Sequence, residues 1–377
     1  MKILTLLGTR PEIIRLSRVI PRLDQVCESG SNDHILFYTG QNYDPALSDN
    51  FFTELDLRLP NYYEPAGARG TFAEQMAVIF PNIEKVIIRE RPDRLLVLGD
   101  TNSALAAIVA ARSGIPVYHM EAGNRSFSPT SPEEVNRRLV DHCSTVLLPY
   151  TERSRQNLLQ EGIHSSRIFV TGNPIHEVIE HYRGQWERSD VLARLGIESG
   201  RFFLVTLHRA ENIDNKDRLT KLTSALGDLL YPDSIPVIVS THPHLRQRVD
   251  ALIDEAEEGE GWNLNPRVRF LPPFSFFDFL RLQTSSLAVL SDSGTVQEEC
   301  CLLQRPLVCL RDSTERPECL EAGAGVLSGA DPDSILRAVR LVTEGRSEWT
   351  PPPEYLRLNV AETVVRILLG HREELER

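Results

Sequence analysis

The chain has 377 residues, 41% of them apolar and 25% charged, with a formal net charge of −12. That length exceeds one ordinary core and favours two domains, while the negative balance argues against nucleic acid or an anionic membrane as partner and leaves local basic clusters free to meet an anionic substrate. The apolar run after Met1 is too short for a secretion signal and no stretch approaches the roughly 20 residues that span a bilayer, so a cytoplasmic protein is expected, its six cysteines reduced and without zinc-site or disulfide spacing.

In chain order, strands are predicted at 2–7, 34–39, 94–98, 117–120, 145–149 and 168–171, with helical stretches such as 12–26, 103–112 and 133–143 between them. A second series follows, with strands at 202–207, 237–241, 268–271, 287–290 and 307–310 and helices at 217–230, 245–255, 276–283 and 296–303. Near-continuous apolar strands separated by helices indicate parallel sheets covered on both faces. The predicted class is α/β: two doubly wound, Rossmann-like domains facing a cleft. Gly172-Asn173-Pro174 interrupts the pattern, which places the first domain at 1–172 and the second at 173–358. A helix at about 359–377, following the prolines at 351–353, is expected to pack back on the first domain. Ligands of such sheets collect beyond the carboxyl ends of the strands, so the residues just after each strand carry the functional information.

Gly8-Thr9-Arg10-Pro11-Glu12 follows the first strand: Gly8 allows a tight turn, Pro11 suits a first helical turn, and Arg10 is placed to meet an anion. Asp100 and Glu121 each end an apolar strand, and two acids on adjacent strands suggest proton transfer. Glu133 opens a helix, where an acid also stabilises the helix dipole. In the second half, His208 and Arg209 stand at a strand end where they can clamp a diphosphate. Ser291-Asp292-Ser293-Gly294-Thr295 builds a strand-to-helix nest of amides for a phosphate, and Glu299 is about one and a half turns further on, placed for a ribose diol. Arg311-Asp312-Ser313-Thr314-Glu315-Arg316 offers arginines to hydroxyls or phosphate, or is a solvated loop. His242-Pro243-His244 lacks a third ligand at matching spacing, so no metal is expected. Gly323-Ala324-Gly325-Val326-Leu327-Ser328-Gly329 half-matches a dinucleotide fingerprint, with the wrong spacing and no strand before it. No other stretch fits, and no cofactor is expected.

Gly8-Thr9-Arg10-Pro11-Glu12, Gly99-Asp100-Thr101, Glu121-Ala122-Gly123, Pro132-Glu133-Glu134-Val135-Asn136-Arg137, His208-Arg209, Asp292-Ser293-Gly294 and Glu315-Arg316-Pro317-Glu318 run nearly end to end. In that order they resemble the non-hydrolysing UDP-N-acetylglucosamine 2-epimerase family. The resemblance implies a glycosyltransferase-B type fold, a homodimer, and interconversion of UDP-N-acetylglucosamine and UDP-N-acetylmannosamine. Asp100, Glu121, Glu133 and His208 match that family's catalytic positions. Arg10, His208, Ser293 and Gly294 match its diphosphate contacts, Glu299 its ribose contact and Phe279 a residue beside the uracil; Arg316 matches a further site residue. Arg15, a further expected substrate contact, stands where many members have lysine. Gln41-Asn42-Tyr43-Asp44 replaces the Gln-His-Arg-Glu or Gln-His-Arg-Gln linked in some members to allosteric binding of a second substrate molecule. That stretch and Met120-Glu121-Ala122-Gly123-Asn124-Arg125 look more like a branch acting on 6-deoxy sugars, which forms UDP-N-acetyl-L-fucosamine. The main reading of another class is a glycosyltransferase of the same fold, which needs an acceptor; a hydrolysing epimerase would release free UDP, and a sensor would bind without conversion.

Overall fold

The computed structural model describes residues 1–30, 32–40, 51–65, 70–128, 131–229, 235–257, 265–345 and 348–371. The chain divides into two compact units, Met1–Glu180 together with Pro353–Arg377, and His181–Pro352. The stretch 41–44, on which the allosteric and 6-deoxy expectations partly rest, lies outside the described residues.

The first unit carries β1 (Lys2–Leu7), β2 (Asp33–Tyr38), β3 (Tyr62–Tyr63), β4 (Arg94–Leu98), β5 (Val117–Met120) and β6 (Val146–Leu148). They pair in the order β3-β2-β1-β4-β5-β6, every pair parallel. Chain order reverses between β1 and β4, the place where sheets of this kind open towards a ligand. Leu4, Leu6, Ile35, Phe37, Leu95 and Val97 share one buried layer with Met76, Ile79, Ile83 and Val86 of the helix Phe72–Glu90. Each such side chain contributes about 1.5–3 kcal/mol on burial. Both faces of the strands are covered, so their sequences run apolar without alternation.

The unit continues past Gly172 because the helix Ile175–His181 docks on it: the Glu177 carboxylate accepts the Ala361 N–H at 2.9 Å. Ala361 belongs to the helix Val360–Gly370, whose Glu362 meets Arg22 at 2.6 Å.

Two local expectations differ from the structure. The helix predicted at 12–26 is two helices, Arg10–Leu16 and Val19–Glu28. Pro21 has no N–H for an unbroken ladder and falls instead in the first turn of the second helix. Residues 168–171 form no strand but a single bridge, Leu147↔Ile168, with backbone hydrogen bonds from Phe169 and Thr171 to Leu147 and Pro149. Pro149 cannot donate back, so a ladder does not propagate.

The second unit repeats the architecture with β7 (Phe203–Leu207), β8 (Val237–Thr241), β9 (Val268–Leu271), β10 (Ala288–Ser291), β11 (Leu307–Cys309) and β12 (Gly325–Leu327). Their order is β12-β11-β10-β7-β8-β9, again all parallel. Phe203, Val205, Leu207, Val237 and Leu290 pack into one layer, and Phe202, Leu204, Ile238, Val289 and Leu307 into the layer behind. The stretch that half-matched a dinucleotide fingerprint contains β12, a three-residue, half-buried strand. No helix among the described residues is long and apolar enough to cross a membrane.

Candidate active site

In the first unit, the chain leaves β1 at Gly8 and enters the helix Arg10–Leu16 with extended Thr9 as its cap. Glu12 completes a capping box: one carboxylate oxygen accepts Gly8 N–H at 2.9 Å, Thr9 N–H at 2.6 Å and the Thr9 hydroxyl at 2.7 Å. The other oxygen accepts the Thr101 hydroxyl at 3.0 Å, which joins the loops after β1 and β4. Burial pushes the Glu12 carboxyl up to about 7 against these four donors. Glu12 was visible only as part of a motif; its Thr-x-x-Glu spacing was the signal for a cap. Arg10 opens the helix with its guanidinium 4.3 Å over the Phe51 ring. Arg15, in the last turn, is buried and pairs with Glu121.

Asp100 and Glu121 stand at the carboxyl ends of β4 and β5, and Glu133 lies on a helix that contacts Asp100. Asp100 pairs with Arg137, and Asn136 donates to its main-chain oxygen at 2.9 Å. Both partners sit on the helix Pro132–Cys143, whose first turn carries Glu133. Glu133 is half-buried and accepts the Ser131 hydroxyl at 2.7 Å. Glu121 is buried and held at φ 66°, a left-handed conformation that costs a non-glycine residue free energy and is found where function constrains the backbone. Its carboxylate takes Arg15 on one oxygen and the Asn124 amide at 3.4 Å on the other. Ser154 donates to the Asn124 carbonyl at 2.7 Å, which turns the amide nitrogen towards Glu121. A methyl group on Gly99, next to Asp100, would lie 3.9 Å from the Glu121 carboxylate, so the two acids share one neighbourhood.

The loop after Glu121 depends on Gly123, whose φ is 77°; a Cβ there would stand 2.2 Å from Ser154 O. Gly123→Ala is expected to destabilise the protein by about 2–5 kcal/mol, from the left-handed backbone and the overlap together. Urea denaturation measures it, and an unchanged midpoint would show that the loop relaxes freely.

In the second unit, β7 and β10 are neighbours and end side by side. Asp292, fully buried just after β10, accepts the amides of His208 and Arg209 at 3.1 and 3.0 Å and the Asn212 side chain at 3.0 Å. His208 Nδ1 lies 2.9 Å from the same carboxylate while 46% of the His208 side chain stays exposed. Burial opposes ionisation of Asp292, yet the charge and hydrogen bond of His208, with Asn212 and the Arg209 amide, hold its carboxyl at about 2. Ser293 caps the helix Gly294–Leu302 through Val296 N–H. Gly294 is needed for space, since a Cβ would stand 2.6 Å from Glu315. Glu299 is buried and accepts Gln283 at 2.6 Å. Gln283 lies one turn beyond Phe279 on the helix Phe276–Ser285, which brings the expected ribose and uracil residues to one spot. Arg316 is buried and pairs with Glu298, while Glu315 takes Arg209 at 3.2 Å and Arg311 at 2.7 Å. His244 is committed to Asp214 at 2.8 Å, and among the described residues no group of three ligands is placed for a metal ion.

A family model described as UDP-N-acetylglucosamine 2-epimerase matches residues 25–369. A UDP-N-acetylglucosamine 2-epimerase of Methanocaldococcus jannaschii is 38% identical over 98% of this chain and 99% of its own length. The crystal structure of the enzyme from that organism, in complex with UDP-GlcNAc and UDP, matches with a TM-score of 0.89 at 38% identity, covering 98% of this chain and 99% of that one. A UDP-2,3-diacetamido-2,3-dideoxy-D-glucuronate 2-epimerase of Pseudomonas aeruginosa is 35% identical over 90% of this chain and 92% of its own length.

Proposed function

The chain belongs to the UDP-N-acetylglucosamine 2-epimerase family, and we propose on that premise that it is an isomerase interconverting UDP-N-acetylglucosamine and UDP-N-acetylmannosamine by elimination and re-addition of UDP. The hydrogen on carbon 2 is not adjacent to a ketone, so its direct removal and return is slow. If a carboxylate takes that proton while the bond from carbon 1 to the diphosphate breaks, UDP leaves and a neutral 2-acetamidoglucal remains. Protonation of carbon 2 on the opposite face, with the diphosphate oxygen adding back to carbon 1, completes the inversion and consumes nothing.

The observation that supports this reading most is the shared neighbourhood of Asp100 and Glu121, each beside a buried arginine, with Glu133 one helical turn before Arg137, the partner of Asp100. Proton transfer at an unactivated carbon needs such groups. In the second unit, Ser293 and Gly294 at a capped helix start and half-exposed His208 suit the diphosphate, where donors stabilise charge building on the leaving oxygen. Glu299 and Phe279 suit the nucleoside. Arg10 in the first unit offers a further cation, and Arg15 and Arg316 serve through the carboxylates they hold, Glu121 and Glu298.

A second reading keeps the reaction and changes the sugar. The Pseudomonas relative is named for a sugar that differs at carbons 3 and 6, and Asn124, buried in the stretch that looks like the 6-deoxy branch, contacts Glu121 itself. Formation of UDP-N-acetyl-L-fucosamine is the corresponding activity. A homodimer working in the cytoplasm belongs to the same proposal; all six cysteines are unbridged, as a reducing compartment allows. Light scattering tests the dimer.

The reaction is tested with nucleotide sugar alone in deuterated water. The expected result is a 2-epimer carrying deuterium at carbon 2. Product without deuterium removes the proton-abstraction route, and no product without an added acceptor favours a glycosyltransferase. UDP-N-acetylglucosamine and its 6-deoxy talose-type analogue, assayed side by side, choose the sugar.

A further inference from the structure

The loops that carry Asp100 and Glu121 are tied together by a side chain with no part in the proposed chemistry. His119, the third residue of β5, is fully buried among the apolar residues of its strand. Its Nε2 lies 2.8 Å from Gly99 O, the carbonyl immediately before Asp100. Its Nδ1 lies 2.8 Å from Asp141 Oδ1 on the helix Pro132–Cys143. Both neighbours are acceptors, so making both hydrogen bonds takes a proton on each ring nitrogen, with Asp141 as the countercharge.

Asp141 continues the tie. Its second oxygen accepts Gly123 N–H at 3.1 Å, two residues beyond Glu121, and meets Arg125 at 2.7 Å. Arg125 donates to Asn124 O at 2.8 Å and is itself held by Glu161 at 2.6 and 2.8 Å. The side chains of His119, Asp141 and Arg125 are all fully excluded from solvent. An aliphatic side chain at position 119 would fill the same space without burying charge, and buried ionic groups are weak contributors to stability. What this network adds is a fixed distance between two backbone segments.

We infer that His119, Asp141 and Arg125 are positioning residues that set the separation of the Asp100 and Glu121 carboxylates. The inference rests on the proposed role of those two acids. A displacement of about 1 Å at a reacting group lowers turnover by about 10²-fold, so loss of the tie acts on kcat while ground-state binding persists.

Two substitutions separate the ends of the tie. His119→Gln retains a donor near the Nε2 position and with it the bond to Gly99 O. His119→Asn retains a donor near the Nδ1 position and keeps only Asp141. In the full chain, with UDP-N-acetylglucosamine as substrate, both variants are expected to keep a cooperative melting transition, the wild-type affinity for UDP and a KM close to wild type. The expected kcat falls by about 10²-fold for His119→Asn and about tenfold for His119→Gln. Equal kcat values in the two variants, or losses that follow the melting temperature, overturn the inference. If His119→Asn does not fold, Asp141→Asn, of the same size, is measured instead; an unchanged kcat there has the same consequence. Asp100→Asn run alongside separates the two possible failures. Full turnover in Asp100→Asn removes the role of the acids, whereas loss of turnover there, with the His119 variants unaffected, removes only the tie.

Discussion

Asp100→Asn and Glu121→Gln are each expected to lower turnover by about 10²–10⁴-fold, the range for a proton-transfer group, while binding of UDP alone is unchanged. The two substitutions differ in what else they disturb. Glu121 faces Arg15 where both side chains are within 7% of full burial, and removing one member of a buried pair costs about 3–5 kcal/mol. Part of any loss in Glu121→Gln is therefore a loss of folded protein. Asp100 is 21% exposed, and its buried partner Arg137 keeps the Glu134 carboxylate at 3.3 Å, so less folded protein is lost and the kinetic effect is easier to isolate. Turnover by NMR, UDP affinity by calorimetry and melting temperature together check this. Parallel loss of UDP affinity and turnover in Asp100→Asn would make the acid structural.

The separation between what the sequence made legible and what it hid follows the range of the forces involved. Strands β1, β4, β5, β7 and β8 read as near-continuous apolar runs because a parallel sheet covered on both faces demands them. β3 and β12 have two and three residues and are only partly buried, so nothing in their composition marks them. Asp100 and Glu121 stood out because an acid ending an apolar run is a local signal. Their partners did not: Arg15 is 106 positions from Glu121, and Arg137 reaches Asp100 only because a helix is folded over the strand ends. His119 was absorbed into its strand, since a single polar residue in an apolar run carries no pattern of its own. Asp292 appeared only as a letter in a motif. Its importance depends on His208, 84 positions earlier, arriving beside it through a sheet pairing that no spacing rule encodes.

Asp292 also gives the largest expected effect on stability. Asp292→Ala would leave the amides of His208 and Arg209 and the side chain of Asn212 without their acceptor in a fully buried place. Three buried donors left without their acceptor are together expected to cost about 3–5 kcal/mol. The exposed His208 ring would also lose the contact that orients it, so turnover is expected to fall in whatever fraction remains folded. The pH dependence has a definite sign. The Asp292 carboxyl titrates at about 2 in the folded protein against 3.8 ordinarily, so the folded state favours the ionised form. That contribution, about 2 kcal/mol by linkage, is fully present above pH 4 and is lost as pH falls towards 2. Urea denaturation of wild type and Asp292→Asn at pH 5, 3 and 2 isolates it, because the other carboxylates titrate alike in both. The stability difference between them is expected to shrink by about 2 kcal/mol across that interval. A difference that stays constant from pH 5 to 2 would mean that the Asp292 charge does not hold His208, Arg209 and Asn212 together.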